Sequence, residues 1–122
     1  MHNPGKIKTF TANGAIAAKR IVTVAADYVV SQAAAPSMAN IGVTELSCAD
    51  GEPVDVLTEG VVEVEAAESI TCGACVTADA DGKAVTAEDA DIVFGIAIDS
   101  ASADEYVPVM IRQSRAVTAA GG

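Results

Sequence analysis

Aromatic residues are almost missing from this chain: no tryptophan, two phenylalanines and two tyrosines in 122 residues. Small-ligand pockets and stacking platforms are lined chiefly by aromatic and other bulky apolar side chains, so the sequence has little from which to build one. Leucine is scarce too, with two residues against 16 valines and nine isoleucines. Straight-chain residues favour helices, whereas β-branched side chains suit the pleated, half-buried surface of a strand. The expected fold is therefore all-β. The 51% hydrophobic content overstates the core, because 25 of the residues are alanine.

Other absences narrow the chemistry. The single histidine is His2, so a Ser-His or Cys-His nucleophile would depend on the chain terminus. Neither a GxxxxGK[ST] loop nor a GxGxxG turn occurs, which argues against nucleotide-driven catalysis. No apolar run approaches the 18 or so residues of a membrane span, and Met1-His2-Asn3-Pro4-Gly5 opens without a signal core, so synthesis in a cytoplasm and no membrane partner are expected. Three cysteines are too few, and odd, for a secreted disulfide framework.

Charge is unevenly distributed. The net charge is −10, and all 17 acids lie between Asp27 and Glu105, a span whose one base is Lys83. Lys6, Lys8, Lys19 and Arg20 precede it, and Arg112 and Arg115 follow. An acidic body repels phosphate backbones, so nucleic acid is not an expected partner. The basic start, in which Ile7 and Phe10 alternate with lysines, suits docking on an acidic protein surface by strand addition. Lys6, Ile7, Lys8, Phe10, Lys19 and Arg20 are thus the candidate docking residues.

What the chain does have is a repetition. Ile41-Gly42-Val43-Thr44-Glu45, followed by Asp50 to Leu57, returns without a gap as Phe94-Gly95-Ile96-Ala97-Ile98, followed by Ala103 to Met110. Each block reads as strand, polar turn and alternating strand. Two copies are too few for a solenoid but can close on each other as a small pseudo-duplicated β-sandwich or barrel. The expected organisation is an extended N-terminal arm (1–14), a β domain (15–115) with pseudo-repeats at about 41–58 and 94–111, and a flexible C-terminal tail (116–122).

Two motifs invite metal readings. Thr77-x-Asp79-x-Asp81-Gly82-x5-Glu88 nearly matches a calcium loop, but threonine replaces its first carboxylate and the flanks read as strands. A plain Asp-Gly hairpin with a type I′ turn is the expected structure. Cys72-Gly73-Ala74-Cys75 has the CxxC form, yet zinc needs four ligands and a redox pair opens a helix, not a strand. The cysteines read as small buried thiols, and no metal or cofactor is expected.

Residues 20–111 carry a resemblance. Ile70, Gly73 and Val76, the Asp79/Asp81-Gly82 hairpin, Gly95-Ile96-Ala97 and the closing Val107 and Val109 follow the pattern of the capsid cement, or head decoration, proteins of tailed bacteriophages. Asp104 departs from it, standing where a glycine is usual. The recombinase label that some members have carried fits poorly with a chain lacking a phosphate loop. The resemblance implies a non-catalytic β module that binds the major capsid protein on the outer surface of an expanded virion shell, often as a homotrimer, after synthesis in the host bacterial cytoplasm. The rival reading is a calcium- or carbohydrate-binding β module, against which the dearth of aromatic platforms counts.

One outcome is measurable directly. A chelator such as EDTA is expected to leave the melting temperature unchanged; a shift of several degrees would restore a metal to Asp79, Asp81 or the cysteines.

Overall fold

The computed structural model describes residues 7–88 and 91–114. Every named element in them is a strand. The first half holds β1 (Ile7–Ala12), β2 (Ile21–Ala26), β3 (Val29–Gln32), β4 (Asn40–Thr44) and β5 (Pro53–Leu57); the second holds β6 (Val61–Glu65), β7 (Cys75–Ala78), β8 (Ala84–Thr86), β9 (Val93–Ala97) and β10 (Tyr106–Ser114).

The repetition extends well beyond the two blocks seen in the sequence. The first half closes into a barrel in the order β1-β3-β2-β4-β5, and the second sheet runs β6-β10-β9-β7-β8. That is the same ring, broken at the equivalent of β1–β3. In the first half this seam carries the parallel pairs Thr11↔Val29 and Ala12↔Val30, whereas in the second it keeps the single bridge Ala66↔Ala84. Pairing is reproduced residue for residue: Val43↔Leu57 and Thr44↔Val56 recur as Ile96↔Met110 and Ala97↔Val109. Even the turns match. Ala49 N–H donates to Glu52 Oε1 at 2.8 Å, and Ser102 N–H to Glu105 Oε1 at 2.9 Å.

Asp104 occupies the position of Gly51, with φ of 70° against 83°. The left-handed conformation that the turn requires is therefore kept where the glycine is lost, as short polar residues permit. The hairpin at Asp81-Gly82 forms between β7 and β8 but is not a type I′ turn, since only Gly82 has positive φ. Asp79 builds it instead, its Oδ1 accepting from Asp81 N–H at 2.8 Å and Lys83 N–H at 2.9 Å.

The extended arm expected over 1–14 is corrected by the structure from residue 7 on. Residues 7–12 form β1, a wall of the first barrel, paired from Ile7↔Leu57 to Thr11↔Pro53 on one side and with β3 on the other. The alternation that suggested strand addition is real, but the strand completes its own barrel. Residues 1–6 and the expected tail, 116–122, lie outside the described residues.

Two apolar clusters fill the halves. One unites Val22, Val30, Val54 and Val56 inside the first barrel. The other joins Val62, Val64, Phe94 and Val107 of the second half with Ile21, Ala33 and Val43 of the first. At about 1.5–3 kcal/mol for each fully buried valine or isoleucine, shared burial holds the halves together. Backbone bonds set how they meet: Glu65 N–H donates to Lys19 C=O and Ile21 N–H to Gly82 C=O, both at 2.9 Å. The Lys19–Ile21 segment is thereby wedged into the second barrel's open seam. Around it, Arg20 Nη2 lies 3.1 Å from Glu65 Oε1, and Lys83 Nζ 3.6 Å from Glu65 Oε2.

Two predictions follow from these contacts. A Cβ on Gly42 would fall 2.3 Å from Leu57 O, and one on Gly95 2.4 Å from Met110 O. Gly42→Ala and Gly95→Ala are each expected to cost about 2–3 kcal/mol in urea denaturation; a cost below about 0.5 kcal/mol, the scale of an ordinary surface change, would show that neighbouring backbone relaxes freely. The second concerns pH. Burial raises the Glu65 carboxyl, but the Arg20 hydrogen bond and the charges of Arg20 and Lys83 outweigh it and hold it below its ordinary 4.5. A depressed acid contributes stability that is full above its unfolded pKa and lost as pH falls through its folded one. Glu65→Gln should therefore cost about 1–2 kcal/mol at neutral pH, with the gap to wild type closing below pH 4.5. A gap independent of pH between 7 and 3 would exclude the ionised pair.

Candidate functional site

The six docking candidates end up in different places. Ile7 is 47% exposed at the start of β1, and Lys8 beside it is exposed. Phe10 is half-buried; it packs against the first barrel's cluster, with its ring centroid 6.1 Å from that of Tyr28. Lys6 lies outside the described residues.

Lys19 and Arg20 face inward to the second half. Lys19 Nζ lies 3.5 Å from Glu63 Oε1 and 5.5 Å from the centroid of the Tyr106 ring. Arg20 adds a bond from Nη1 to Asp81 C=O at 3.1 Å. Nothing in the sequence distinguished these two bases from Lys6 and Lys8. Their partners are 44 and more positions away, and Lys19 takes a left-handed φ of 60° that residue type alone does not announce.

A cleft of about 350 Å³ opens beside β1 and β5, with Ile7, Leu46 and Leu57 among its apolar lining and Glu45, Glu52 and Asp55 among its acids. Its thiol, Cys48, is pushed up by burial, which together with nearby Glu52 outweighs a backbone hydrogen bond from Ile16; a raised pKa disfavours the reactive thiolate. None of the three cysteines is buried as expected: Cys72 is exposed, Cys48 and Cys75 are half-buried, and all are free thiols. Among the described residues no group of three or more His, Cys, Asp or Glu side chains could hold a metal ion, and Asp79, one acid of the near-match to a calcium loop, spends its Oδ1 on the hairpin turn.

The outer face of the second half is more apolar. Val61, Met110, Ile96 and Cys75 stand in one cross-strand row over β6, β10, β9 and β7, with Val61 51% and Met110 40% exposed. Apart from the half-buried Cys75 thiol, such a row carries no acid-base or nucleophilic group. It offers contact area.

The family of phage cement proteins matches residues 2–112. Among solved structures, the head fiber gp8.5 N base of bacteriophage phi29 is similar, with a TM-score of 0.73 and 24% identity over 91% of this chain and 97% of that one. At that identity the likeness is one of fold, and it spans both halves. No curated protein matches the sequence. A family match over nearly the whole chain, on an all-β tandem whose exposed features are surfaces, identifies this chain as belonging to the phage cement protein family, structural components of the phage head.

Proposed function

We propose that this protein binds the outer surface of the phage head, through the major capsid protein, and reinforces the shell without catalysing a reaction. The observation that carries the reading is the family match across residues 2–112. The physical character of the molecule supports it: a closed barrel packed against an open five-stranded sheet, no assembled acid-base or nucleophile cluster among the described residues, and apolar surface on the outer strands. Association as a homotrimer on the shell belongs to the same reading.

Of the six docking candidates, Ile7 and Lys8 are the described ones still free to reach a partner. Lys19 and Arg20 are committed to the join between the halves, and Phe10 to the barrel wall. The contact at Lys8 is a surface charge, worth about 0.2–1 kcal/mol and screened by salt. Any strong binding must then come from apolar area.

Expanded heads lacking this protein test the reading. The purified chain is expected to co-sediment with them, to raise the temperature at which they open, and to keep most of its affinity from 50 mM to 500 mM salt, concentrations chosen to span the range over which surface charges are screened. Failure to sediment with heads at any salt would overturn the proposal.

A further inference from the structure

The second half carries an unused copy of the edge by which the first half is held. In the first half the cross-strand row Ile7, Leu57, Val43 and Ile21 faces outward from its own barrel; Val43 and Ile21 are fully buried within the second half's cluster. Beside them, Lys19 C=O and Ile21 N–H bond to Glu65 N–H and Gly82 C=O. The equivalent groups in the second half are Gly73 C=O and Cys75 N–H. Equivalence is fixed by Lys19 N–H donating to Thr44 C=O at 2.9 Å and Gly73 N–H to Ala97 C=O at 2.7 Å. Among the described residues Gly73 C=O and Cys75 N–H have no hydrogen-bond partner, and the row next to them, from Cys75 to Val61, is open.

We infer that Gly73–Cys75 and the apolar row beside it form a docking edge for an extended, uncharged segment of the head shell, an inference that rests on the proposed function. One residue of an added strand can donate its N–H to Gly73 C=O and accept Cys75 N–H, as in any parallel ladder, while its apolar neighbours lie on Ile96 and Met110. The interface already present inside the molecule shows that this edge geometry binds protein. Its charges show what the occupant need not carry: Lys19 and Arg20 meet Glu63 and Glu65, but their equivalents here are Gly73 and Ala74. A second copy is disfavoured as occupant. The receiving seam of the first half is shut by Thr11 N–H bonding Tyr28 C=O at 2.9 Å, and Tyr28 stands in the place of Gly82. A Cβ at Gly82 would already press to 3.0 Å from Ile21 O.

Two substitutions and one direct readout test the edge. Cys75→Pro removes the N–H at the first residue of a strand, a position where proline is tolerated, and Met110→Glu places a charge in the row. Both are expected to keep the wild-type melting temperature within a few degrees yet lose about tenfold or more in affinity for heads lacking this protein, a loss of at least one decade in Kd. Hydrogen exchange by mass spectrometry on the unsubstituted protein covers the case of misfolding: overlapping peptides within 72–76, which report the Cys75 amide, should exchange faster when free than on heads. Wild-type binding with undiminished binding of both variants, or exchange in those peptides that heads leave unchanged, overturns this inference alone. Failure of the wild type to bind heads overturns the proposed function and this inference with it. Protection of the same peptides by concentration-dependent self-association without heads overturns the shell as occupant and assigns the edge to a second copy.

Discussion

Three residues of backbone, Lys19 to Ile21, decide how the two halves of this molecule meet. They enter the seam between β6 and the β7–β8 hairpin, where Glu65 N–H would otherwise find Gly82 C=O, and take one bond from each side. A backbone hydrogen bond contributes about 0.5–1.5 kcal/mol net, so two of them do not fasten a domain. Burial of Ile21 and Val43, both 0% exposed, contributes more. The bonds decide something else. Leaving Ile21 N–H buried and unpaired would cost about 1–3 kcal/mol, so the two barrels have one register in which burial and pairing are satisfied together.

That constraint explains how two copies of one fold have diverged. The second barrel gives up most of its own seam, keeping the Ala66↔Ala84 bridge, in order to receive its neighbour. Gly82 is the residue that makes room, since its missing side chain lets Gln32, Ile21 and Ala33 approach. At the same place in the first barrel Tyr28 lies 74% exposed against Phe10, and the seam stays shut. Lys19 and Arg20, set against Glu63, Glu65 and Tyr106, supply polar contacts around the wedge. The tandem therefore has direction: one end closed, the other presenting an open edge.

A structural component of a shell needs stiffness and surface more than chemistry, and the composition fits that need. Valine and isoleucine give rotamer-restricted walls, alanine lets strands pack closely, and acids on turns cap backbone N–H groups, as Asp50, Asp79, Glu52 and Glu105 do. Asp79, one of the carboxylates behind the calcium-loop reading, is thus spent on hairpin geometry.

Residue type and spacing alone determined the all-β class, the strand alternation and the 53-residue repetition of Gly42 at Gly95, because periodicity and close backbone approach leave local marks. They did not reveal that the repetition runs through both halves. Ile7 to Ala12 and Val61 to Ala66 share a place in the ring and little sequence, since one edge joins a closed barrel and the other an open one. Nor did they separate arm from wall: an alternating strand reads alike whether it pairs with its own barrel or another chain, and the choice rests on partners some 46 positions away, such as Asp55 Oδ1 accepting from the Thr9 hydroxyl. The inward fate of Lys19 and Arg20, and the open edge at Gly73 to Cys75, exist only once two halves that are alike in fold have packed unequally. That asymmetry is a property of the tertiary contact, and no residue carries it alone.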